Sequence, residues 1–201
     1  MKKFLLLALF LILICTSYAF AENAESIEYE CSDFRYTLCG DGTAEITRYV
    51  GEAQELEVPA ELDGNCVISV GQEAFAHCYS LTTIWIPEGV TEIGDRAFYG
   101  CESLVNIFMH SGVTRIGNEA FYGCGSIFSI LIPDSVTEIG SGAFSMCYNL
   151  VGITIPDSVT KIGDDIFNNC NAVMEVGHDS YAEQYAIDNG IRYIYPEFWM
   201  E

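Results

Sequence analysis

Apolar and polar positions follow one pattern that returns every 23 residues along most of the chain. Four segments align without a gap, at 81–103, 104–126, 127–149 and 150–172, and share the pattern L-x-x-I-x-I-P-x-x-V-T-x-I-G-x-x-A-F-x-x-C-x-x with small departures. The segment 53–80 carries the same marks with five extra residues in one turn. Such self-similarity predicts a repeat solenoid, because one coil cannot bury its apolar side chains alone and stacked coils can.

Within one coil the pattern predicts two short strands. The alternation from Ile84 to Ile86 is typical of a half-buried strand whose isoleucines face the core while Trp85 faces outward. The proline and glycine after it end this strand, and the Val-Thr-x-Ile segment at 90–93 predicts a second one. At Gly94 the repeated choice of glycine indicates a positive φ or a close backbone approach.

The rest of each coil predicts a single turn of helix. The position after the glycine holds residues that are preferred as helix N-caps, and an Ala-Phe pair follows, which fits a helical turn facing the core. The N-cap position is occupied in successive coils by Asp95, Asn118, Ser141 and Asp164.

The segments that flank the repeats predict caps. The strand-like segments 34–38 and 44–49 enclose a Gly-Asp-Gly turn, which predicts a β-hairpin over the first coil. Ser180 and Glu183 form a capping box, which predicts the start of a helix. Gly190 predicts the end of this helix, and an extended strand follows. The predicted organisation is a signal peptide at 1–21, a hairpin cap at 22–52, five leucine-rich repeat coils at 53–172, and a C-terminal helix-strand cap and tail at 173–201.

One motif within the repeat is highly specific. The segment from Ile132 to Cys147 reads I-P-D-S-V-T-E-I-G-S-G-A-F-S-M-C. It resembles the hallmark of the BspA-like (bacterial surface antigen) class of leucine-rich repeats. The resemblance covers about residues 33–195, and departs where His110 takes a proline position and Ile166 an alanine position. It implies a leucine-rich-repeat superhelix, secretion and roles in adhesion or protein binding, and it brings no catalytic residue.

The N-terminus has the features of a secretory signal. Lys2 and Lys3 precede an apolar run at 4–14, and Ala-Phe-Ala at 19–21 offers a cleavage site. The run is shorter than the roughly 20 residues of a membrane span, and no later segment comes close. Cys15 offers lipid attachment as an alternative, but the bulky residue before it favours the Ala-x-Ala cut. We therefore expect a secreted protein without a membrane span, free outside the cell or held at its surface.

The chain is strongly acidic, with a formal net charge of −21. Nucleic acids and anionic membranes require clusters of lysine and arginine, so neither is an expected partner. The charge favours solubility outside the cell over a specific cation-binding role. No motif for a cofactor or a metal stands out, and we expect neither.

Eight cysteines follow the signal segment. Five recur in register, at Cys78, Cys101, Cys124, Cys147 and Cys170. Stacked coils keep their Cβ atoms near the coil spacing, whereas a disulfide needs about 3.8 Å, so we expect a ladder of reduced thiols. Cys31, Cys39 and Cys66 lie outside the register. The first two are eight positions apart, about 26 Å in an extended strand, so a bridge would involve Cys66, with its partner left open.

The sequence gives little support for a catalytic function. His77, His110 and His178 occupy unrelated phases of the coil, and no nucleophile, zinc or phosphate-loop motif is present. Asp134 and Asp157 stack in adjacent coils at about 5 Å, a spacing that resembles a retaining glycosidase pair. Each lies in a Pro-Asp-Ser turn, where aspartate commonly closes the turn through its own backbone. A non-catalytic protein is predicted, with a carbohydrate-active enzyme as a remote alternative.

The outward positions of the first strand predict a binding surface. Three large apolar residues, Trp85, Phe108 and Leu131, follow one another from coil to coil, and exposed contiguous apolar surface usually marks an interaction site. Asn106 and Ser129, in the neighbouring outward file with Thr83 and Gly152, would add polar contacts. The alternative is that the rings only stack on each other or on a cap. We predict a binding or adhesion module for an extracellular protein or glycan; the alternative function is a structural component that self-associates.

Overall fold

Each repeat winds into one coil with three sides in the computed structural model, which describes residues 27–196. Two sides are short strands that pair with the next coil, and the third consists of turns. The strands before the regular repeats are β1 (Glu28–Cys31), β2 (Phe34–Leu38), β3 (Ala44–Tyr49), β4 (Glu55–Glu57), β5 (Glu61–Leu62) and β6 (Asn65–Val70). Those of the regular coils are β7 (Thr83–Trp85), β8 (Glu92–Ile93), β9 (Asn106–Phe108), β10 (Arg115–Ile116), β11 (Ser129–Leu131), β12 (Glu138–Ile139), β13 (Gly152–Ile155) and β14 (Lys161–Ile162).

The Val-Thr-x-Ile side forms one continuous sheet, in the order β1-β2-β3-β6-β8-β10-β12-β14. The predicted hairpin is confirmed, because β2 and β3 pair antiparallel with Leu38 opposite Ala44. Strand β3 then pairs parallel with β6, so the hairpin extends the repeat sheet by two strands and covers its first coil. The sequence pattern did not indicate β1, which adds a third strand to this cap.

The side that carries Trp85 is interrupted. Its strands form two sheets, β4-β7-β9 and β11-β13 continued by the C-terminal strands, and β9 does not pair with β11. The interruption falls in the coil where His110 takes the place of the proline that ends this strand in the other regular coils. The other two sides remain bonded at this level, so the stack is not divided.

The core is a column of phenylalanine rings. Neighbouring ring centroids lie 5.1 Å apart for Phe75 and Phe98, 5.3 Å for Phe98 and Phe121, and 5.5 Å for Phe121 and Phe144. The rings are nearly parallel, and all four side chains are fully buried. The isoleucines of both strand sides pack around them, so one apolar core runs along the stack.

The segment predicted as a turn of helix is a run of tight turns instead. Alternate amides bond to the next coil: Arg96 donates to Asn118 O and Phe98 to Ala120 O, both at 2.8 Å. Arg96 and Gly100 have φ of 57° and 68°, and their equivalents in the other coils are also positive. This left-handed backbone lets two consecutive residues, alanine and phenylalanine, both face the core, which a regular strand does not allow.

The predicted N-cap residues bind the neighbouring coil rather than a helix. Asp95 Oδ1 accepts from Asn118 N at 2.8 Å, and Asn118 Oδ1 accepts from Ser141 N at 2.9 Å. Ser141 Oγ continues the series by accepting from Asp164 N at 3.2 Å. The residue types at this position are those preferred at helix N-caps, because in both cases a short side chain accepts a hydrogen bond from a backbone amide that lacks another partner.

The C-terminal cap agrees with its prediction. It consists of β15 (Val173–Val176), α1 (Tyr181–Asn189) and β16 (Tyr193–Ile194). Ser180 Oγ accepts from Glu183 N at 3.1 Å, and Gly190 ends the helix with a φ of 64°. The Tyr185 hydroxyl donates to Gly163 O at 2.8 Å and so ties the helix to the last coil. The predicted signal at 1–21 and the apolar tail residues 198–200 lie outside the described residues.

No helix within residues 27–196 is long and apolar enough to cross a membrane.

Candidate functional site

The two aromatic residues predicted as a site form one exposed patch, which we call the aromatic patch (Trp85 and Phe108). Strands β7 and β9 pair in register, which places Trp85 beside Phe108. The rings stack at 5.5 Å between centroids and 14° between planes. Trp85 is 39% exposed and Phe108 is 51% exposed, so neither is covered by the hairpin. The inward neighbours Ile84 and Ile107 are buried and anchor both strands.

Leu131 does not extend this stack. It is 74% exposed and lies on β11, across the interruption from β9. Its strand partner is Thr154 on the other side. The predicted stripe of three is therefore an aromatic pair followed by a separate leucine on the next sheet.

The polar residues beside the patch differ from the expectation. Asn106 is exposed, but its side-chain amide donates to Thr83 Oγ1 at 3.2 Å. Thr83, predicted to be outward, is buried because its side chain lies between two paired strands and is covered by Asn106. Ser129 is exposed and faces Gly152 in the neighbouring strand. Asn106 lies on the same strand as Phe108 of the aromatic patch, while Ser129 belongs to the second sheet.

Sequence reasoning missed a shallow groove on the second sheet, which we call the apolar groove. Gly152 has no side chain in the outward file, so it leaves a depression between its neighbours. Phe128 and Val151, both exposed, rise on one side, and Ile194 of β16 closes one end. The lining residues are Phe128, Ser129, Ile130, Val151, Gly152, Ile153, Thr154, Val173, Glu175 and Ile194.

Glutamates flank both apolar areas. Glu57 pairs in register with Trp85, and Glu55 with Thr83, on the strand at the end of the first sheet. On the second sheet, Glu175 Oε2 accepts from Thr154 Oγ1 at 2.8 Å at the rim of the groove. The outward surface therefore combines exposed apolar side chains with negative charge.

The buried members of the cysteine ladder, Cys101, Cys124 and Cys147, are part of the core. The thiols of Cys101 and Cys124 donate to the carbonyls of Phe75 and Phe98 in the preceding coil, at 2.9 and 3.1 Å. Contact with the next thiol of the ladder, and then burial, raises the pKa of Cys101 well above its usual range. The pKa of Cys147 is raised for the same reasons, so both remain protonated thiols. The end members, Cys78 and Cys170, are only half-buried.

The cysteines outside the ladder are also free. Leu38 pairs with Ala44, and Ala44 pairs with Val67, so Cys39 and Cys66 lie on opposite sides of Thr43. That separation is two strand spacings, about 10 Å, which is too far for a disulfide.

The aspartates weighed as a catalytic pair occupy exposed turns. These turns are closed by backbone bonds rather than by the carboxylates: Val136 N donates to Pro133 O at 3.0 Å and Val159 N to Pro156 O at 3.1 Å. The neighbouring serine hydroxyl, Ser135 Oγ, reaches back to Val113 O at 2.6 Å. Asp134 and Asp157 therefore have neither a buried pocket nor the turn-closing role that the sequence suggested. Within residues 27–196, no three His, Cys, Asp or Glu side chains are grouped to hold a metal ion.

Similarity to known structures agrees with this architecture. A leucine-rich repeat protein of T. pallidum is 32% identical, with 75% of this chain and 82% of that one covered and a TM-score of 0.69. A leucine-rich repeat protein of Bacteroides ovatus is 33% identical over 73% of this chain and 42% of its own, with a TM-score of 0.64.

A third similar structure is a leucine-rich cell surface protein from Faecalibacterium prausnitzii. It is 26% identical, with a TM-score of 0.55 and coverage of 80% of this chain and 56% of its own. The chain thus spans about half the length of this protein and of the Bacteroides one. No curated protein matches the chain.

The sequence profile of the BspA-type leucine-rich repeat region matches residues 55–174 in six copies, one more than the five coils counted from the pattern. The matched residues are the coils whose strands, turns and phenylalanine core are described above. The chain belongs to the BspA-type leucine-rich repeat family.

Proposed function

We propose that this protein is a secreted or cell-surface binding module that holds a partner protein on its outward strand surface. The observation that carries the proposal is the aromatic patch, in which two large rings remain exposed on a rigid sheet. Tryptophan and other aromatic side chains dominate the binding energy of protein interfaces. The pair is held by paired strands and buried isoleucines, so little ordering would be needed on binding.

Support for an extracellular location comes from the predicted signal at 1–21 and from family membership. The F. prausnitzii protein that resembles this chain is described as a cell surface protein. Leucine-rich repeats generally bind proteins, and this supports a binding function without catalysis. We place no reaction at Asp134 and Asp157, because both lie in exposed turns.

Self-association is the alternative role, and the first sheet disfavours it. Its terminal strand β4 has exposed glutamates at positions 55 and 57. A second copy that added its own β4 there would bring like charges together, an arrangement that sheets avoid. Edge-to-edge pairing of two copies through β4 is therefore disfavoured.

The test compares wild type, Trp85→Ala and a matched control, Tyr181→Ala, as immobilised baits for extracellular proteins and glycans. Tyr181 is also an exposed aromatic residue, but it lies on the C-terminal helix. We expect wild type and Tyr181→Ala to capture the same partner. The affinity of Trp85→Ala for that partner should be about 30-fold lower, since a hot-spot residue contributes about 2 kcal/mol. The melting temperature should fall by no more than about 6 °C, because the lost stacking with Phe108 costs about 0.5–1.5 kcal/mol while the core is unchanged.

Three outcomes would contradict the proposal. Undiminished capture by Trp85→Ala would remove the patch from the site, and capture of glycans alone would replace the protein partner. Concentration-dependent oligomers in sedimentation that Trp85→Ala abolishes would support self-association instead.

A further inference from the structure

In the part of the chain that the structure describes, strand β4 leaves one edge of the first sheet open. Within residues 27–196, β4 pairs only with β7. Val58 N donates to Trp85 O at 3.0 Å and Thr83 N donates to Gln54 O at 3.1 Å, so the even-numbered residues of this segment bond to β7. Backbone groups of successive residues point to opposite sides of a strand. The amides and carbonyls of Glu55 and Glu57 therefore point to the open edge.

The side chains at this edge have a definite chemistry. Glu55 and Glu57 are exposed on the same face as Trp85, while Leu56 between them is half-buried against the core. An added strand would place side chains directly opposite these three. Opposite charges stabilise such cross-strand pairs and like charges destabilise them. The edge thus suits a segment that alternates basic and apolar residues.

We propose that this edge binds an extended basic segment of a partner protein, which adds to β4 as a further strand. Lysine or arginine side chains of the segment lie opposite Glu55 and Glu57, and an apolar side chain covers Leu56. The added strand continues the sheet that carries Trp85, so a partner held here would also lie beside the aromatic patch. The inference rests on the proposed function for the class of partner but uses different residues.

The negative charge of this chain argues against another segment of the same chain as the strand that binds at the β4 edge. The residues just before Ile27 are Glu-Asn-Ala-Glu-Ser, which carry two further negative charges. A second copy of β4 has the same drawback. A basic segment of another protein is the occupant that the edge charges favour.

The experiment titrates the secreted chain with the capped peptide Lys-Val-Lys-Val-Lys and with Glu-Val-Glu-Val-Glu as its control, by calorimetry. We expect only the lysine peptide to bind wild type. The double variant Glu55→Lys/Glu57→Lys should bind the lysine peptide about tenfold or more weakly, because the cross-strand pairs then join like charges. The same variant should bind the glutamate peptide, because those pairs then join opposite charges. Circular dichroism should show that the variant, altered only at exposed positions, keeps its fold.

Two further peptides separate strand addition from general attraction to an acidic protein. One carries N-methyl groups on its valine amides and the other on its lysine amides. A strand uses only one alternating set of amides toward its neighbour, so one methylated peptide should lose binding and the other should keep it. Equal effects of both methylations, or binding that does not follow the charge reversal, would overturn the proposal.

The Trp85→Ala variant keeps the two proposals distinguishable. If the peptide fails to bind wild type while Trp85→Ala still loses a captured partner, the edge proposal fails and the proposed function stands. If the peptide binds and Trp85→Ala loses no captured partner, the edge is a binding site and the aromatic patch is not.

Discussion

At Gly117 two neighbouring coils approach too closely for any side chain. A Cβ atom at this position would lie 2.5 Å from Asp95 N and 2.6 Å from Gly94 C. The equivalent glycines 94, 140 and 163 meet the backbone of the preceding coil in the same way, and none has a positive φ. Of the two explanations that the sequence left open, close approach is therefore the correct one for this series.

We expect Gly117→Ala to destabilise the protein by about 1–3 kcal/mol or more, because the methyl group has to push two coils apart. Gly125→Ala is the matched control, since its Cβ would meet only the Tyr148 ring, at 3.6 Å. The free energy of unfolding from urea titration measures both. A cost at Gly117 no larger than that at Gly125 would contradict the close-approach explanation.

At the scale of the element, the second strand side carries a ladder of alternating charge. Arg115 contacts Glu92, and its Nε lies 3.9 Å from Glu138 Oε1. Lys161 Nζ lies 2.7 Å from the same Glu138 oxygen. Asp95, the residue that binds the amide of the next coil, also lies 3.3 Å from Arg115. Arg115 is therefore shared among three carboxylates.

Arg115→Glu should destabilise the protein by about 1–3 kcal/mol at low salt, because it removes these contacts and places like charges in neighbouring strands. Lys161→Glu should destabilise it less, since Lys161 is more exposed and contacts Glu138 alone. Melting temperatures at low and high salt measure the difference, which screening should reduce. An Arg115→Glu shift that is equal at both salt concentrations would show that charge is not the cause.

The strands could be predicted because apolar side chains recur there at period two, and Trp85 is exposed for the same reason. The turn side could not, since most of its left-handed positions are held by residues other than glycine, such as Arg96 and Glu119, which give no signal of a positive φ. Thr83 was misjudged because its burial depends on a side chain of the next coil. The apolar groove depends on which strands pair, although Gly152 beside Phe128 and Val151 was a signal that the sequence did contain.

At the scale of the whole molecule, the interruption between β9 and β11 affects only one of three sides. The Val-Thr-x-Ile sheet passes it without a break, and the amides of Phe98 and Phe121 bond to the next coil at 2.8 Å. The phenylalanine column is also continuous there, since Phe121 stacks on Phe144 at 5.5 Å between centroids. Coils on both sides of the interruption should therefore unfold together, because nearest-neighbour contacts couple them.

The ladder cysteines can report this coupling. In native protein a thiol reagent should modify exposed Cys66 and leave the buried Cys101, Cys124 and Cys147 intact. Pulsed alkylation at increasing urea, followed by mass spectrometry, should show these three becoming reactive at one denaturant concentration. Cys101 lies before the interruption and Cys147 after it, so their exposure at different concentrations would show that the stack unfolds in two parts.

The charge ladder has a consequence for how such a chain can change its length. On the Val-Thr-x-Ile side every regular coil bonds to its neighbour through the same backbone groups, so the removal of one repeat would leave the hydrogen bonding of this sheet intact. Removing 104–126, however, would bring Glu92 beside Glu138, whereas removing 104–149 would bring Glu92 beside Lys161. The alternation therefore gives the stack a parity: an interior repeat that is lost alone, or any of these repeats duplicated alone, brings like charges together, whereas the loss or duplication of two adjacent repeats keeps the alternation.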